Sequence, residues 1–268
     1  MAKKGSYFAN HRKRTGTENE PVERRRVAPI SEEKKAAFEE GKVILLDKPL
    51  HWTSFDAVKK VRNAIRIKKV GHAGTLDPLA SGLLIICTGK FTKKINEYMA
   101  AEKEYTGSFT LGAVTPTYDL ESDATDFKET AHLTPEQIHA ATSPFTGHIK
   151  QMPPLYSAIK KEGVALYTLA RRGKDVELEP RDIFIKEFEI TSIEMPVATF
   201  RVVCSTGTYI RSLAHDFGTA LGCGAYLSEL RRTRIGEFLV EEAKSIDAFL
   251  LSLQEEDPAT TGEENTGA

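Results

Sequence analysis

The spacing of apolar positions divides the chain into a patterned central stretch between two polar ends. Val43 to Leu46 is a short apolar run closed by Lys48-Pro49, which predicts a strand and then a turn. Ser54 opens a predicted helix whose apolar stripe is Phe55, Val58, Val61, Ala64 and Ile65. Leu83 to Cys87 is an apolar run of buried-strand length, and Glu104 to Leu111 predicts another strand. Thr134-Pro135-Glu136-Gln137 is a capping box with proline at the first helical position, so a helix starts there. From Ile183 to Ile193 the alternation slips: Ile183 and Ile185 share one face, Phe188 and Ile190 the other. A bulge between the two pairs would return all four to one face. Phe200, Val202 and Cys204 then alternate with Arg201, Val203 and Ser205, as in a strand. Ile210, Leu213, Ala214, Phe217 and Leu221 fall at helical spacing. Strands with hairpin-like neighbours interleaved with helices predict an α+β fold, with a mixed, largely antiparallel sheet flanked by helices.

The ends read differently. Residues 1 to about 36 are rich in Lys, Arg and Glu without sustained periodicity, which predicts a mostly disordered basic arm. From about Leu253 the chain turns acidic, a second candidate for disorder. The span 37–252 is therefore the expected folded domain. Three widely separated cysteines, Cys87, Cys204 and Cys223, suggest neither a zinc site nor disulfides. The polar N-terminus has no apolar stretch of a secretory signal, and no apolar run reaches the roughly 20 residues needed to span a bilayer. A cytoplasmic protein without membrane contact is expected. The net charge of −1 first argues against a nucleic-acid partner. Its distribution argues the other way: basic residues gather at Lys59, Lys60, Arg62, Arg66, Lys68 and Lys69, at Lys160 and Lys161, at Arg171, Arg172 and Lys174, and at Arg231, Arg232 and Arg234. Acidic ones gather at Asp119, Glu121, Asp123, Asp126 and Glu129. Separated fields of this kind suit a phosphate-binding face on a nearly neutral protein.

Two segments conflict with a purely structural explanation. In Gly71-His72-Ala73-Gly74-Thr75-Leu76-Asp77-Pro78-Leu79-Ala80-Ser81-Gly82, three glycines predict an irregular loop, and Pro78 confines Asp77 to extended geometry. Such a loop, running into a buried strand, can present a functional carboxylate. The alternative makes Asp77 a helix N-cap with Pro78 at the first helical position. In Ser205-Thr206-Gly207-Thr208-Tyr209-Ile210-Arg211, Arg211 falls in a first helical turn, where the macrodipole disfavours a cation. It either points to solvent or meets an anion, for which a carboxylate is the natural choice.

The stretch GHAGTLDPLASGLLIICTG strongly resembles the catalytic motif of the TruB family of tRNA pseudouridine synthases. Further blocks match in the family's order: Lys103-Glu104-Tyr105, Gln151-Met152-Pro153-Pro154-Leu155-Tyr156-Ser157-Ala158, Gly207-Thr208-Tyr209-Ile210-Arg211, and Gly222 through Arg232. The resemblance spans roughly residues 41 to 248 and implies the pseudouridine synthase fold, with an RNA-gripping insertion at about 150–180. It implies isomerisation of the T-loop uridine at position 55 of tRNA, with Asp77 as the catalytic aspartate, Tyr105 stacking on the uracil and Arg211 pairing with Asp77. By the same resemblance His72 enters the RNA, Leu227 lines the uracil pocket, and Lys48 and Tyr209 contact substrate. Lys160, Lys161, Arg171 and Arg172 of the insertion would hold T-arm phosphates. The chemistry suits these residue types. Breaking a glycosidic bond builds positive character at C1′, which an ionised carboxylate can stabilise or trap. Arg211 should then hold the pKa of Asp77 low.

No metal or organic cofactor is expected, and tRNA is the expected partner, bound by a monomer without an obligate protein partner. Two departures stand out. Too few residues follow Leu253 for the PUA-type domain that many members carry, and His51 replaces a residue that is commonly small. An RNA chaperone remains a reading of a different class. A glycoside hydrolase is disfavoured, because the Asp77 loop offers no second acid at plausible spacing.

Overall fold

The computed structural model describes residues 29–157, 160–161, 164–166, 168 and 178–255. The expected basic arm before residue 29 and the tail beyond residue 255 lie outside the described residues, as do Arg171 and Arg172 of the insertion.

Among the described residues the order of elements begins with α1 (Glu32–Glu40), β1 (Val43–Lys48), α2 (Ser54–Ile65), β2 (Val70–Ala73) and β3 (Ala80–Thr88). It continues with α3 (Ile95–Ala100), β4 (Lys103–Leu111), α4 (Pro135–Ala140), β5 (Gly147–Gln151), β6 (Lys160–Lys161) and β7 (Val164–Ala165). The last third holds β8 (Arg181–Glu194), β9 (Val197–Cys204), α5 (Ile210–Ala220), β10 (Ala225–Ile235), β11 (Phe238–Leu239), β12 (Lys244–Ser245) and α6 (Ile246–Ser252). Ten strands form one sheet along the path β12-β1-β3-β10-β4-β9-β8-β5, with β2 added on β3 and β11 on β10. Only β1/β12 and β3/β10 pair in parallel. The α+β expectation therefore holds, in a mixed and mostly antiparallel sheet.

Apolar patterning explains the layers. Ile183, Ile185, Phe188 and Ile190 are all buried on one face of β8, because a register shift between Ile185 and Glu187 supplies the expected bulge. They join Phe109, Phe200 and Val202 under the Leu213, Ala214 and Phe217 face of α5. Phe109 stacks on Phe200 with ring centroids 4.2 Å apart. On the other half of the sheet α2 buries Val58, Val61, Ala64 and Ile65 against Leu84 and Ile86 of β3.

Three expectations need correction. Phe55 is not in the stripe of α2 but 62% exposed, because Ala57 takes the inward position at that end of the helix. The arm boundary moves inward: α1 starts at Glu32 with Ser31 as N-cap, and buried Ile30 and Phe38 anchor it to the core. The glycine-rich segment is not irregular throughout, since His72 lies on β2, paired with Ile86 of β3.

Candidate active site

Asp77 sits in a turn, not at a helix N-cap. The Ala80 N–H donates to the Asp77 carbonyl at 3.0 Å, and β3 begins at Ala80. The turn is held from both sides. Ser54, buried in the first turn of α2, accepts from the Leu76 N–H at 2.9 Å, and its hydroxyl donates to the Leu76 carbonyl at 3.2 Å. On the other flank the His51 N–H donates to the Pro78 carbonyl at 2.7 Å. His51 does so from φ +65°, left-handed geometry that favours small residues and costs a larger one of order 1 kcal/mol. That backbone geometry suits a small residue, and nothing in the structure explains the histidine.

Arg211 is buried, not solvated. From the first turn of α5 its Nε forms an ion pair with Asp77 Oδ2 at 2.9 Å, and its Nη2 donates to the Tyr156 carbonyl at 2.9 Å. Its Nη1 lies 3.6 Å from Asp119 Oδ2. The anion expected beside Arg211 is thus two carboxylates. Asp119 is buried, and its Oδ1 accepts from the Thr117 hydroxyl at 2.6 Å and the Glu121 N–H at 2.9 Å. In the sequence it looked like one member of a solvated acidic run. Its loop is pinned further by Tyr118, whose carbonyl accepts from the Leu227 N–H at 2.9 Å. The Tyr118 ring stacks on His215 with centroids 4.1 Å apart and planes at 18°. His215 lies one helical turn beyond Arg211, so α5 presents both to the same loop.

Burial pushes the Asp77 carboxyl above the ordinary carboxylate range; Arg211 pulls it back, Asp119 lifts it and Lys48 lowers it. The expectation of a low pKa set by Arg211 is therefore overturned, because desolvation outweighs the ion pair. The side chain is still 42% exposed, and that exposure is to a cleft of about 350 Å³. Tyr105, Tyr209, Arg211, Lys103, Arg232 and Leu230 line the same cleft. Leu227 faces Asp77, Asp119 and Arg211 in a small adjoining cavity. The structure thus brings together Asp77, Tyr105, Arg211, Tyr209 and Leu227 from four separate stretches of chain. Tyr209 caps α5 and exchanges two hydrogen bonds with the buried Gln151 side chain, at 2.8 and 3.0 Å. Burial raises the Tyr105 phenol, with Arg232 partly offsetting.

The other expected site residues fare unevenly. His72 is half-buried on β2 and is not among the residues lining this cleft. Burial, reinforced by Arg232, lowers its pKa, leaving a neutral ring at pH 7. Lys48 requires correction: it is fully buried and cannot touch a substrate here. Its Nζ donates to the carbonyls of Pro49 at 3.0 Å and Trp52 at 2.7 Å. Lys160 and Lys161 pair with Val164 and Ala165 in a two-stranded ribbon, and their side chains lie outside the described residues. Sequence reasoning missed Asp119 and Gln151 as site residues, and it put Arg232 in a basic group facing phosphates, whereas Arg232 is buried at 1% exposure. Arg232 donates from Nε to the Leu83 carbonyl at 2.8 Å and from Nη2 to the Gly74 carbonyl at 3.1 Å. Gly82 (φ +104°) lets the Arg232 backbone approach closely, since a Cβ there would clash with the Arg232 carbonyl oxygen.

Comparison with known proteins agrees with this architecture. The family model described as TruB family pseudouridylate synthase (N terminal domain) matches residues 62–210. A second, tRNA pseudouridylate synthase B C-terminal domain, matches residues 211–259. A protein named tRNA pseudouridine synthase B from Flavobacterium johnsoniae is 54% identical over 222 residues, covering 80% of this chain and 97% of that protein. One of the same name from Chloroherpeton thalassium is 48% identical, covering 79% and 90%. Among solved structures, a Cbf5-Nop10-Gar1 complex superposes with a TM-score of 0.64 at 32% identity. It covers 81% of this chain, which spans 55% of the matched one. The chain belongs to the TruB family of pseudouridylate synthases.

Proposed function

We propose that this chain isomerises uridine to pseudouridine in the T-loop of tRNA, at position 55, with Asp77 as the reacting carboxylate. The Asp77–Arg211 pair in the cleft floor is the single observation that carries this reading. A uridine entering the cleft would place C1′ against Asp77 and its base beside Tyr105, with Leu227 closing one side. Cleavage of the C1′–N1 bond leaves C1′ electron-poor, and Asp77 either bonds to it or removes the 2′ proton. Arg211 orients Asp77 for both routes and keeps it anionic against the lift of burial. The base then turns, C5 bonds to C1′, and the C5 proton leaves, with Tyr105 within the same cleft to assist. The target base must first leave its stack, at a cost of a few kcal/mol, and the neutral His72 ring would stack in its place. The chain acts as a cytoplasmic monomer and needs no protein partner for the chemistry; basic side chains of the insertion, including Arg171 and Arg172, hold the T-arm.

The test is to incubate the protein with unmodified tRNA transcripts and map the resulting pseudouridines. Modification confined to the T-loop supports the reading. Modification of another uridine overturns the substrate assignment, and tight binding with no pseudouridine leaves an RNA chaperone. Asp119 supplies the second carboxylate that the loop sequence lacked, but it is buried and spent on Thr117, Glu121 and Arg211. A hydrolase acid is therefore not available from it.

A further inference from the structure

Three buried cations, Lys103, Arg211 and Arg232, line the Asp77 cleft. A fourth, Lys48, is close enough to Asp77 to act on its charge, and Asp119 lies beside Arg211. Arg211 is matched to Asp77 and Asp119. Lys48, Lys103 and Arg232 are each less than a tenth exposed, and among the described residues none has a carboxylate within 4.0 Å. Their hydrogen bonds go to backbone carbonyls: Pro49 and Trp52 for Lys48, Met99 and Ala101 for Lys103, Leu83 and Gly74 for Arg232. Carbonyl dipoles satisfy donors without cancelling a charge, and buried unpaired charge costs stability. Burial, with added repulsion from Arg232, brings both lysines down to about 8, although Asp77 pulls Lys48 partly back up. A fold that keeps Lys103 and Arg232 in one cleft wall, with Lys48 close to Asp77, holds a positive field there before any substrate arrives.

The reaction creates one transient anion in that field. When the C1′–N1 bond breaks, its electron pair stays on N1, and the charge spreads over the uracil ring and its two oxygens. Asp77 gives up its own charge if it bonds to C1′, and regains it when C5 displaces it; the C5 proton is then lost and N1 gains one. Between these two bonding events the base must rotate. A donor fixed to one uracil oxygen would resist that rotation, whereas a charge set beneath the cleft wall would not.

We propose that Arg232, assisted by Lys103, provides a non-contact positive field that stabilises the detached uracil anion while it turns. This inference rests on the proposed isomerisation. Arg232 donates to the Leu83 carbonyl of β3, is 1% exposed, and lines the cleft with Lys103 and Tyr105, so its charge acts from the cleft wall.

The test uses the full chain in single turnover on tRNA transcripts carrying uridine or 5-fluorouridine at the target. Fluorine at C5 withdraws electrons and makes the base a better leaving anion, so it should need the field less. Arg232→Gln should lose about tenfold to hundredfold on uridine, somewhat below the loss for a contacting donor. The loss on 5-fluorouridine should be several times smaller, and Arg232→Lys should recover most of the uridine rate. Lys103→Met, whose shape is better tolerated, should show the same pattern with a smaller amplitude even if Arg232→Gln does not fold. Equal losses on both substrates would reduce these residues to structural supports and overturn the inference. A loss confined to tRNA affinity and its salt dependence would assign the charge to a phosphate and overturn it too. Absence of wild-type turnover on uridine would mark failure of the isomerase reading itself, a result distinct from the others, and would overturn both.

Discussion

Asp119→Asn would remove one negative charge from the site while keeping the side chain's shape. Its remaining oxygen can still accept from the Thr117 hydroxyl and the Glu121 N–H. What is lost is the attraction to Arg211 Nη1 across 3.6 Å. At an effective dielectric constant near 20 that attraction is about 4–5 kcal/mol before desolvation is subtracted. Asn also turns an N–H toward the guanidinium, and Arg211 keeps Asp77 as its other partner. A net stability loss of about 1.5–3 kcal/mol follows, in the range for hydrogen bonds to charged groups. For a domain of this size that is roughly 3–12 °C in Tm. The more informative readout is the pH profile. Activity needs ionised Asp77, so the rate falls as pH falls through its pKa, which burial has raised above the ordinary carboxylate range. Asp119 contributes to that lift, so removing its charge should move the acid limb to lower pH. The plateau rate should still drop about tenfold to hundredfold, because Arg211 is less firmly oriented. Single-turnover rates between pH 5 and 8, with tRNA affinity measured in parallel, separate the two effects. An acid limb that stays in place or moves upward would refute the electrostatic link between the two carboxylates.

Other substitutions probe the supports separately. Arg211→Lys should lose at least about a hundredfold in rate, since a single ammonium cannot reach Asp77, Asp119 and the Tyr156 carbonyl together; near-normal turnover would remove its orienting role. His215→Ala should free the Tyr118 ring and lower the rate about threefold to tenfold with tRNA affinity kept, and His215→Phe should restore it by stacking. If phenylalanine restores nothing, the stack is not what holds the loop. His51→Gly should stay within about 1 kcal/mol of wild type, whereas His51→Val should cost about 1–2 kcal/mol more by thermal melting, because a β-branched residue resists φ +65°. Equal stability of the two variants would mean the turn is not strained.

Much of the fold was legible because its signals are local. The Thr134 capping box, the alternation in β9 and the stripe of α5 are each written within a dozen residues. The bulge in β8 was legible for a related reason: the faces of Ile185 and Phe188 could not otherwise agree. The Asp77–Arg211 pair could be suspected because each member broke a local rule, one beside Pro78, the other as a cation at a helix start. What stayed hidden depends on contacts between distant segments. Asp119 is buried only because its loop folds between α5 and β10, and nothing nearby in the sequence distinguishes it from Glu121 or Asp123. Arg232 is one of three arginines in Arg231-Arg232-Thr233-Arg234, and only strand pairing shows that Arg232 alone turns inward while Arg231 meets Asp47 and Arg234 meets Glu102. The direction of the Asp77 shift was misjudged for the same reason. Charge pairing can be guessed from residue types, but desolvation depends on how tightly the cleft closes.

Tritium release from tRNA transcripts carrying 5-tritiated uridine, with wild type and Asp77→Asn side by side, tests the central role of Asp77 most directly. Asn keeps the size of the side chain but can neither trap C1′ nor accept the 2′ proton. Rapid release by wild type, with none above background from an Asp77→Asn protein that still binds tRNA, is the expected result. Release by Asp77→Asn at a rate near that of wild type would contradict the assignment of the chemistry to this carboxylate.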